Sequence, residues 1–280
     1  MEVAICTLVE NTAQGRGILA EHGLSLLVES GEGIVLFDTG QGMVLDSNAA
    51  AMEIGLERVE RIVLSHGHFD HTGGLRQVLD RIGPREVLAH PEALVPKYSV
   101  HEGNVREIGM PESRQILEQK GASFCLNEAP AEVVPGITAT GRIPRVTDFE
   151  QVSSRFRTGP EDNLIQDMLW DDQALIVETG EGPVVVLGCA HAGLINTLLY
   201  AAELVGSKRF AGVIGGTHLV DAEPVRLQRT VDALRPFDIG RIAPCHCTGF
   251  RGQVTLWEAF GERFILNAAG ERLEFGKGRG

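Results

Sequence analysis

Two absences narrow the classes of protein to which this 280-residue chain can belong. Positive charge is scarce: 25 lysines and arginines stand against 38 acidic residues, and the net charge of −13 leaves no basic stripe for a nucleic-acid backbone. Long hydrophobic runs are also missing, because no apolar stretch approaches the roughly twenty residues that a membrane-spanning helix requires. We therefore expect neither a nucleic-acid partner nor a membrane, whereas a local pocket for one small anionic substrate is compatible with this composition.

Cysteine is sparse as well. The five cysteines are odd in number and do not form the dense framework of a disulfide-stapled secreted domain. The first residues, MEVAICTLVEN, lack the basic start of a signal peptide. We therefore expect reduced thiols and a cytoplasmic protein, and we expect residues 1–280 to form a single domain with a substantial core.

What the chain does contain is a cluster of metal-binding side chains directly after an apolar strand. The stretch from Val63 to Leu75 reads VLSHGHFDHTGGL. Imidazole and carboxylate together suit zinc, iron or manganese, and their close spacing lets several ligands converge at a small loop-closure cost. The alternative is that these are surface histidines in a polar turn. Three histidines and an aspartate directly after one strand favour a metal site instead. The cluster comprises His66, His68, Asp70 and His71.

Three further histidines follow predicted strands. The stretches GCAHAG, GGTHL and PCHCTG come after the apolar runs VVVL, AGVI and RIA. Each histidine has a glycine or another small residue nearby, which lets the backbone approach a ligand closely. A single histidine of this kind is usually a satisfied core residue, but the repeated pattern favours convergence on one site. These residues are His191, His218 and His246.

The motif HxHxDH, taken with the later pieces, resembles the metallo-β-lactamase superfamily. The matching pieces include EHGLSLLVE, LFDTG, SHGHFDHTGGL, TGRIPR, DDQALIVET, GCAHAGLINTL, GGTHL and PCHCTG. They are similar to a branch of metal-dependent hydrolases related to the archaeal 7,8-dihydropterin-6-methyl-4-(ribofuranosyl)aminobenzene-5′-phosphate synthase. The resemblance implies an α/β (α+β) fold, the four-layer αββα metallo-β-lactamase sandwich, which the pattern of strands and helices also suits.

The resemblance further implies two divalent metal ions, with zinc first and manganese or iron as alternatives. One ion would be held by His66, His68 and His191, and the other by Asp70, His71 and His246. Asp70 is expected to be essential for catalysis, because it would hold the second ion beside the attacking water. The aspartate of LFDTG, Asp38, would orient the metal site, and His218 is assigned to substrate contact or proton transfer.

The sequence departs from hydrolases of the glyoxalase II type at two positions. Where those proteins place a histidine before the strand ALIVE, this chain reads Trp170-Asp171-Asp172-Gln173, so Asp172 is a possible ligand or supporting group and His191 supplies the missing imidazole. Where they have a bridging aspartate after the next strand, this chain has Cys189. Cys189 is either a thiolate ligand or a small packing residue, and the identity of the bridging ligand stays open.

The segment from residue 91 to residue 165 is rich in proline, glycine and charge and has weak periodicity. Long irregular segments in a compact domain are typically functional or disordered, so we expect an inserted cover over the metal site. A surface excursion without a role is the alternative. Its residues Arg142 and Arg145, on turns rich in glycine and proline, are predicted to clamp the phosphate of a substrate.

These features favour a metal-dependent hydrolase that uses a metal-bound hydroxide on a phosphate ester, phosphodiester or cyclic ester of a small, pterin-like metabolite. The same ligands would also suit iron, so a dioxygenase is one alternative function. A metal-stabilised pterin-binding module without turnover is another. The sequence predicts neither the natural substrate nor the oligomeric state.

Overall fold

Strands make up the centre of the protein. The computed structural model describes residues 1–276. Its strands are β1 Val3–Val9, β2 Ser25–Ser30, β3 Gly33–Phe37, β4 Arg61–Val63, β5 Arg85–Ala89, β6 Lys97–His101, β7 Asn104–Glu107, β8 Ala122–Leu126, β9 Ala131–Val134, β10 Ile137–Ala139, β11 Phe156–Thr158, β12 Ile165–Gln166, β13 Ala174–Val177, β14 Val184–Leu187, β15 Arg209–Gly216, β16 Asp238–Cys245 and β17 Arg272–Phe275.

Helices cover the outer faces. They are α1 Leu45–Ala51, α2 Phe69–Thr72, α3 Leu75–Ile82, α4 Arg114–Gln119, α5 Leu194–Val205, α6 Pro224–Leu234 and α7 Gly249–Phe260. Short 3₁₀ turns lie at Leu56–Arg58, Pro91–Leu94, His246–Thr248 and Gly261–Arg263. Within the part of the chain that the structure describes, none of these helices has the length and apolar character needed to cross a membrane.

Two large sheets pack face to face. One has the strand order β17-β1-β2-β3-β4-β5-β8, and the other has the order β16-β15-β14-β13-β10-β9. Because successive side chains of a strand point to opposite faces, both faces of a sheet can be buried. In β2, Leu26 and Val28 face the other sheet, whereas Leu27 faces α1 and α3. This arrangement confirms the predicted four-layer αββα sandwich.

Each outer layer joins its sheet through one apolar helix face. In α3 the buried residues Leu75, Val78, Leu79 and Ile82 recur at helical spacing and pack on the seven-stranded sheet. The six-stranded sheet is covered by α5, α6 and α7. The apolar patterns of the sequence predict a strand from Val3 to Val9 and a helix from Leu75 to Ile82, and β1 and α3 have these bounds. The sequence predicts the last helix from Val254 to Phe260, but α7 begins at Gly249, because Gly249 and Gly252 weaken the helical pattern in the sequence.

The segment from residue 91 to residue 165 differs from the expected continuous insertion. It contributes β8 to the seven-stranded sheet and β9 and β10 to the six-stranded sheet. Only β6, β7, β11 and β12 form a separate sheet, with the order β12-β11-β6-β7. The long excursions before and after β8–β10 therefore build this third sheet, whereas the middle of the segment belongs to the central sandwich.

The strand directions determine where a site can form. β3, β4, β5 and β8 are parallel neighbours in one sheet, and β14, β15 and β16 are parallel neighbours in the other. The carboxyl ends of parallel strands lie at one edge of a sheet, and ligand sites of α/β proteins form at such edges. The loops that carry the predicted histidines all leave the sheets there.

Candidate metal centre

Five loops bring the candidate residues together at the carboxyl ends of the strands. Asp38 follows β3, the HxHxDH stretch follows β4, Cys189 follows β14, His218 follows β15 and His246 follows β16. Asp38, Ala190, His218 and His246 adopt positive φ angles of 62°, 52°, 49° and 52°, which cost energy for residues other than glycine. Such strained backbone persists where the surrounding structure holds it, and it is concentrated at functional sites.

The first group of ligand atoms comes from three buried histidines. His66 Nε2 lies 3.0 Å from His68 Nδ1 and 3.2 Å from His191 Nε2. Ligands that surround zinc tetrahedrally at their usual bond lengths are about 3.3 Å apart. The Nε2 atom of His66 thus lies about one ligand-to-ligand spacing from a nitrogen of each of the other two rings.

A hydrogen-bond chain sets the tautomer of His66. The hydroxyl of Ser65 donates its proton to Asp38 Oδ2 at 2.7 Å. The Ser65 oxygen can therefore accept a hydrogen bond from His66 Nδ1 at 2.8 Å. With its proton on Nδ1, His66 presents a free lone pair on Nε2 toward the other two histidines. Asp38 therefore contacts this ring indirectly, through the Ser65 hydroxyl.

The second group is built around Asp70. Its Oδ2 lies 3.3 Å from His246 Nε2 and 3.9 Å from His71 Nε2, and the two imidazole nitrogens are 3.2 Å apart. His71 is oriented by a 2.7 Å contact from its Nδ1 to Asp38 Oδ2, and His246 by a 2.8 Å contact from its Nδ1 to Asn11 Oδ1. Both rings consequently direct Nε2 toward the Asp70 carboxylate.

Protonation differs between the two groups. Burial is the main cause that lowers the pKa of His66, His68 and His191 well below the usual value, and neighbouring histidines lower it further. Those rings are therefore neutral at neutral pH, which is the state that binds a metal. Burial also lowers the pKa of His71, but Asp38 and Asp70 outweigh it and raise it to about 9.

Cys189 lies between the two groups. Its Sγ is 3.2 Å from His71 Nε2, and its sulfur falls within 4.8 Å of the ligand atoms of His66 and His191 and, separately, of His71 and His246. The sequence left open whether this residue is a ligand or packing, and the structure places its thiol beside both groups.

Buried polar residues support the loops of the centre. Asp172 accepts the Ala192 amide at 2.9 Å and belongs to neither ligand group, so it holds the His191 loop. Burial is the main cause that raises the pKa of this carboxyl to about 7. Asp171 accepts the amide of Gly67, between the two histidines of the motif, at 2.8 Å and pairs with the buried Lys97 at 3.0 Å. Lys97 lies in β6, so the third sheet is connected to the metal-binding loop.

A cavity of about 230 Å³ opens onto both groups. Phe156 from β11 packs against this centre, with its ring centroid 5.3 Å from that of His68 and 5.4 Å from that of His191. The third sheet thus contributes to the cover over the centre. His218 lines the cavity as predicted for a residue that contacts substrate, and its ring centroid is 4.2 Å from that of His191.

Arg142 and Arg145 lie elsewhere. Their guanidinium carbons are 3.8 Å and 4.6 Å from the centroid of the Trp170 ring, and among the described residues neither arginine lines the cavity. Their predicted role as a phosphate clamp therefore finds no support in their positions. The arginine that lines the cavity is Arg155, a partly exposed residue 3.1 Å from Asp221.

Three residues at the centre were missed or given another role by the sequence. His22 Nε2 lies 3.3 Å from Asp70 Oδ2. In the sequence, the signal for a site residue here was a histidine followed by a glycine directly before the buried strand of EHGLSLLVE. Arg155 was missed because it is one of several basic residues in the irregular segment from residue 91 to residue 165, and nothing in the sequence distinguishes it from the others. The sequence C-x-C at Cys245 and Cys247 lacks the second cysteine pair of a zinc knuckle and therefore indicates packing residues, but Cys247 lines the cavity and its Sγ accepts the amide of His218 at 3.2 Å.

Comparison with known proteins gives matches that extend over most of the chain. The family model described as the metallo-beta-lactamase superfamily matches residues 19–246. A Methanocaldococcus jannaschii protein named 7,8-dihydropterin-6-methyl-4-(beta-D-ribofuranosyl)-aminobenzene-5′-phosphate synthase is 29% identical over 289 residues, covering 98% of this chain and 97% of that protein. An uncharacterized protein of the same archaeon is 34% identical over 250 residues, covering 89% and 92%. A solved structure of a metal-dependent hydrolase of the beta-lactamase superfamily has 30% identity and a TM-score of 0.85, covering 98% and 100%.

Proposed function

The chain belongs to the metallo-β-lactamase superfamily, and we propose that it is a metal-dependent hydrolase that cleaves a phosphate ester, phosphodiester or cyclic ester of a small, pterin-like metabolite. The observation that carries the proposal is the convergence of two groups of candidate ligands beside one cavity of about 230 Å³. A buried cluster with so many unprotonated nitrogens is costly to maintain for packing alone, whereas it is suited to binding cations.

The ligand sets fit two divalent ions. His66, His68 and His191 would hold one ion, and Asp70, His71 and His246 would hold the other. Zinc suits these nitrogen and oxygen donors best, with manganese or iron as alternatives. Such ions would supply Lewis acidity and an activated water at the cavity. Asp38 would fix the rings of His66 and His71, and Asp172 would hold the loop of His191.

The cavity has features that suit an anionic substrate with a flat ring. Arg155 is the cationic side chain at its rim, and guanidinium groups recognise phosphate through paired hydrogen bonds. Phe69 and Phe156 supply aromatic faces on which a planar heterocycle can stack. The synthase from M. jannaschii is named for a product that contains a dihydropterin and a ribofuranosyl phosphate, which is consistent with this chemistry.

His218 would protonate the leaving group or position the substrate. It lines the cavity beside His191, and its Nδ1 has no hydrogen-bond partner among the described residues. A positioned proton donor typically accelerates such a step by a factor of about 10² to 10⁴, and less when the leaving group is a good one.

A transferase is the second candidate, because the relative that matches 98% of this chain is named a synthase. The same centre would then help an arylamine attack the phosphate-bearing carbon of a phosphorylated pterin-like molecule, so that a C–N bond forms while the C–O bond breaks and phosphate leaves. The two functions differ in the acceptor, so a reaction that proceeds only when an arylamine is added would identify the transferase.

The test is turnover of bis(p-nitrophenyl) phosphate by protein loaded with zinc, manganese or iron. We expect metal-dependent hydrolysis that rises with pH as the activated water loses its proton, around pH 7. Asp70→Ala should abolish it, whereas His218→Ala should have a smaller effect because nitrophenolate needs little protonation.

The hydrolase proposal is refuted if none of the metal-loaded forms cleaves a phosphodiester or a phosphomonoester. Oxygen consumption by the iron form with a small thiol would then favour a dioxygenase. Binding of a pterin without turnover in any form would favour a metal-stabilised binding module.

A further inference from the structure

We propose that the thiolate of Cys189 bridges the two metal ions and makes the centre selective for thiophilic ions such as zinc and iron over manganese and magnesium. This inference rests on the two-ion centre of the proposed function. Cys189 stands at the position where glyoxalase II-type hydrolases have a bridging carboxylate. The proposal gives this chain a bridging thiolate at that position.

The geometry gives Cys189 a place in both ligand groups. Its sulfur lies within 4.8 Å of the ligand nitrogens of His66 and His191, and within the same distance of those of His71 and His246. The residue is 3% exposed. A single atom near both groups at this distance has the position that a bridging ligand needs, because each zinc–sulfur bond is about 2.3 Å long.

The backbone is built to hold this sulfur in place. A Cβ at Gly188 would lie 2.2 Å from Ser65 Oγ, so only glycine lets the end of β14 reach the layer of Ser65 and Asp38 behind the histidines. A Cβ at Gly216 would lie 2.3 Å from the carbonyl oxygen of Gly188. The positive φ of Ala190 then turns the chain toward His191. Close packing and local strain thus fix the Cα of Cys189 beside the centre.

The surroundings of Cys189 differ from those of packing cysteines in the same protein. Cys6 and Cys245 belong to the large apolar clusters between the layers, as small hydrophobic side chains do. Cys189 belongs to none of the apolar clusters of the described chain, and its sulfur contacts the Nε2 of His71 and the thiol of Cys247. The comparison within one chain favours a ligand over a packing residue.

A bridging thiolate gives the centre a different metal preference from that of a centre with a bridging carboxylate. Thiolate is a soft ligand that suits zinc, iron and cobalt, whereas carboxylate suits magnesium and manganese. A bridging thiolate contacts both ions, so it biases both positions at once. Binding also requires the loss of the thiol proton, which is released when the ions bind.

The first experiment uses cobalt as a spectroscopic substitute in the full chain. We expect an intense near-ultraviolet band from thiolate-to-cobalt charge transfer in the unaltered protein and in Cys247→Ser, which removes the neighbouring thiol of the cavity. The band should be lost in Cys189→Ser. A band that persists in Cys189→Ser, or that disappears only in Cys247→Ser, overturns the proposal.

Two further measurements do not depend on the folding of the serine variant. X-ray absorption at the zinc edge of the unaltered protein should show a sulfur neighbour at about 2.3 Å, and its absence overturns the proposal. Cys189→Asp should shift the competition between zinc and manganese toward manganese, and an unchanged ratio contradicts it. Failure of the proposed function looks different: the sulfur signal is present, but the metal-loaded protein cleaves no phosphoester.

Discussion

Replacing Asp38 by asparagine tests the orientation of the second ligand group. The buried carboxylate accepts three hydrogen bonds of 2.7 Å each: one from the Ser65 amide on Oδ1, and those of the Ser65 hydroxyl and His71 Nδ1 on Oδ2. In Asp38→Asn the amide oxygen must keep facing the Ser65 amide, because a backbone N–H can only donate. The new NH₂ group then faces His71 Nδ1, which has to accept instead of donate.

The expected loss follows from the tautomer. When Nδ1 of His71 accepts a hydrogen bond, the ring carries its proton on Nε2, and the lone pair that would bind the second ion is gone. Changes to groups that orient a metal-binding histidine typically weaken metal affinity by a factor of about 10 to 100. That range corresponds to about 1.4–2.7 kcal/mol of binding free energy. We expect the larger loss for the ion held by Asp70, His71 and His246, because His71 contacts Asp38 directly whereas His66 is reached only through the Ser65 hydroxyl.

In the assay, a chromogenic chelator competes with the protein for the metal ions. A site with weakened affinity loses its ion at a lower chelator concentration than a tight site. Asp172→Asn is the matched control: it makes the same isosteric change in a buried carboxyl at the same centre, and its amide oxygen can still accept from Ala192. The control should retain both ions. Wild-type affinity for the second ion in Asp38→Asn would refute the reasoning, as would an equal loss in the control.

Three other predictions concern pH, substrate and stability. Despite burial, carboxylates raise the pKa of His71 to about 9, so protons compete with the second ion for this ring as the pH falls below that value, and the affinity for that ion should drop by about tenfold per pH unit. The histidines of the first group have lowered pKa values and should add no such dependence near neutral pH. Chelator competition from pH 6 to 9 with Cys189→Ser, which has no thiol proton to release, checks the difference, and equal slopes for the two ions would contradict it. Arg155→Ala should raise KM for an anionic substrate without changing metal content, and Arg142→Ala, which removes a cation stacked on Trp170, should leave KM unchanged; the reverse result would return the phosphate contact to Arg142. Lys97→Met should cost about 3–5 kcal/mol in urea unfolding, because it leaves its two buried carboxylate partners uncompensated, and an unchanged midpoint would argue against that ion pair.

The predictable part of the centre was local in sequence. His66, His68, Asp70 and His71 were identified because one loop after one strand carries them all. His191 and His246 could be added because the carboxyl ends of parallel strands meet at one edge. His22 was missed because its ring reaches Asp70 from a loop that carries only one histidine, and a single histidine in a polar stretch gives little signal.

The third sheet shows a different limit. The strands β6 and β7 have short, mixed polar sequences, and β6 begins with the buried Lys97, which no hydrophobic pattern can reveal. Its burial depends on Asp167 and Asp171, seventy or more positions away. Arg142 and Arg145 illustrate the same limit, since the aromatic ring on which they stack belongs to Trp170.

The sequence by itself determined the layered fold, because burying one face of each strand and helix requires the apolar periodicity that can be read along the chain. It also determined the types of metal ligand, since those are properties of single side chains. The tertiary structure decided which tautomer each ring presents, which arginine faces the cavity, and that the thiol of Cys189 lies beside both groups. Those properties depend on distances of about 3 Å between residues far apart in the chain, and only the packing of the two sheets sets such distances.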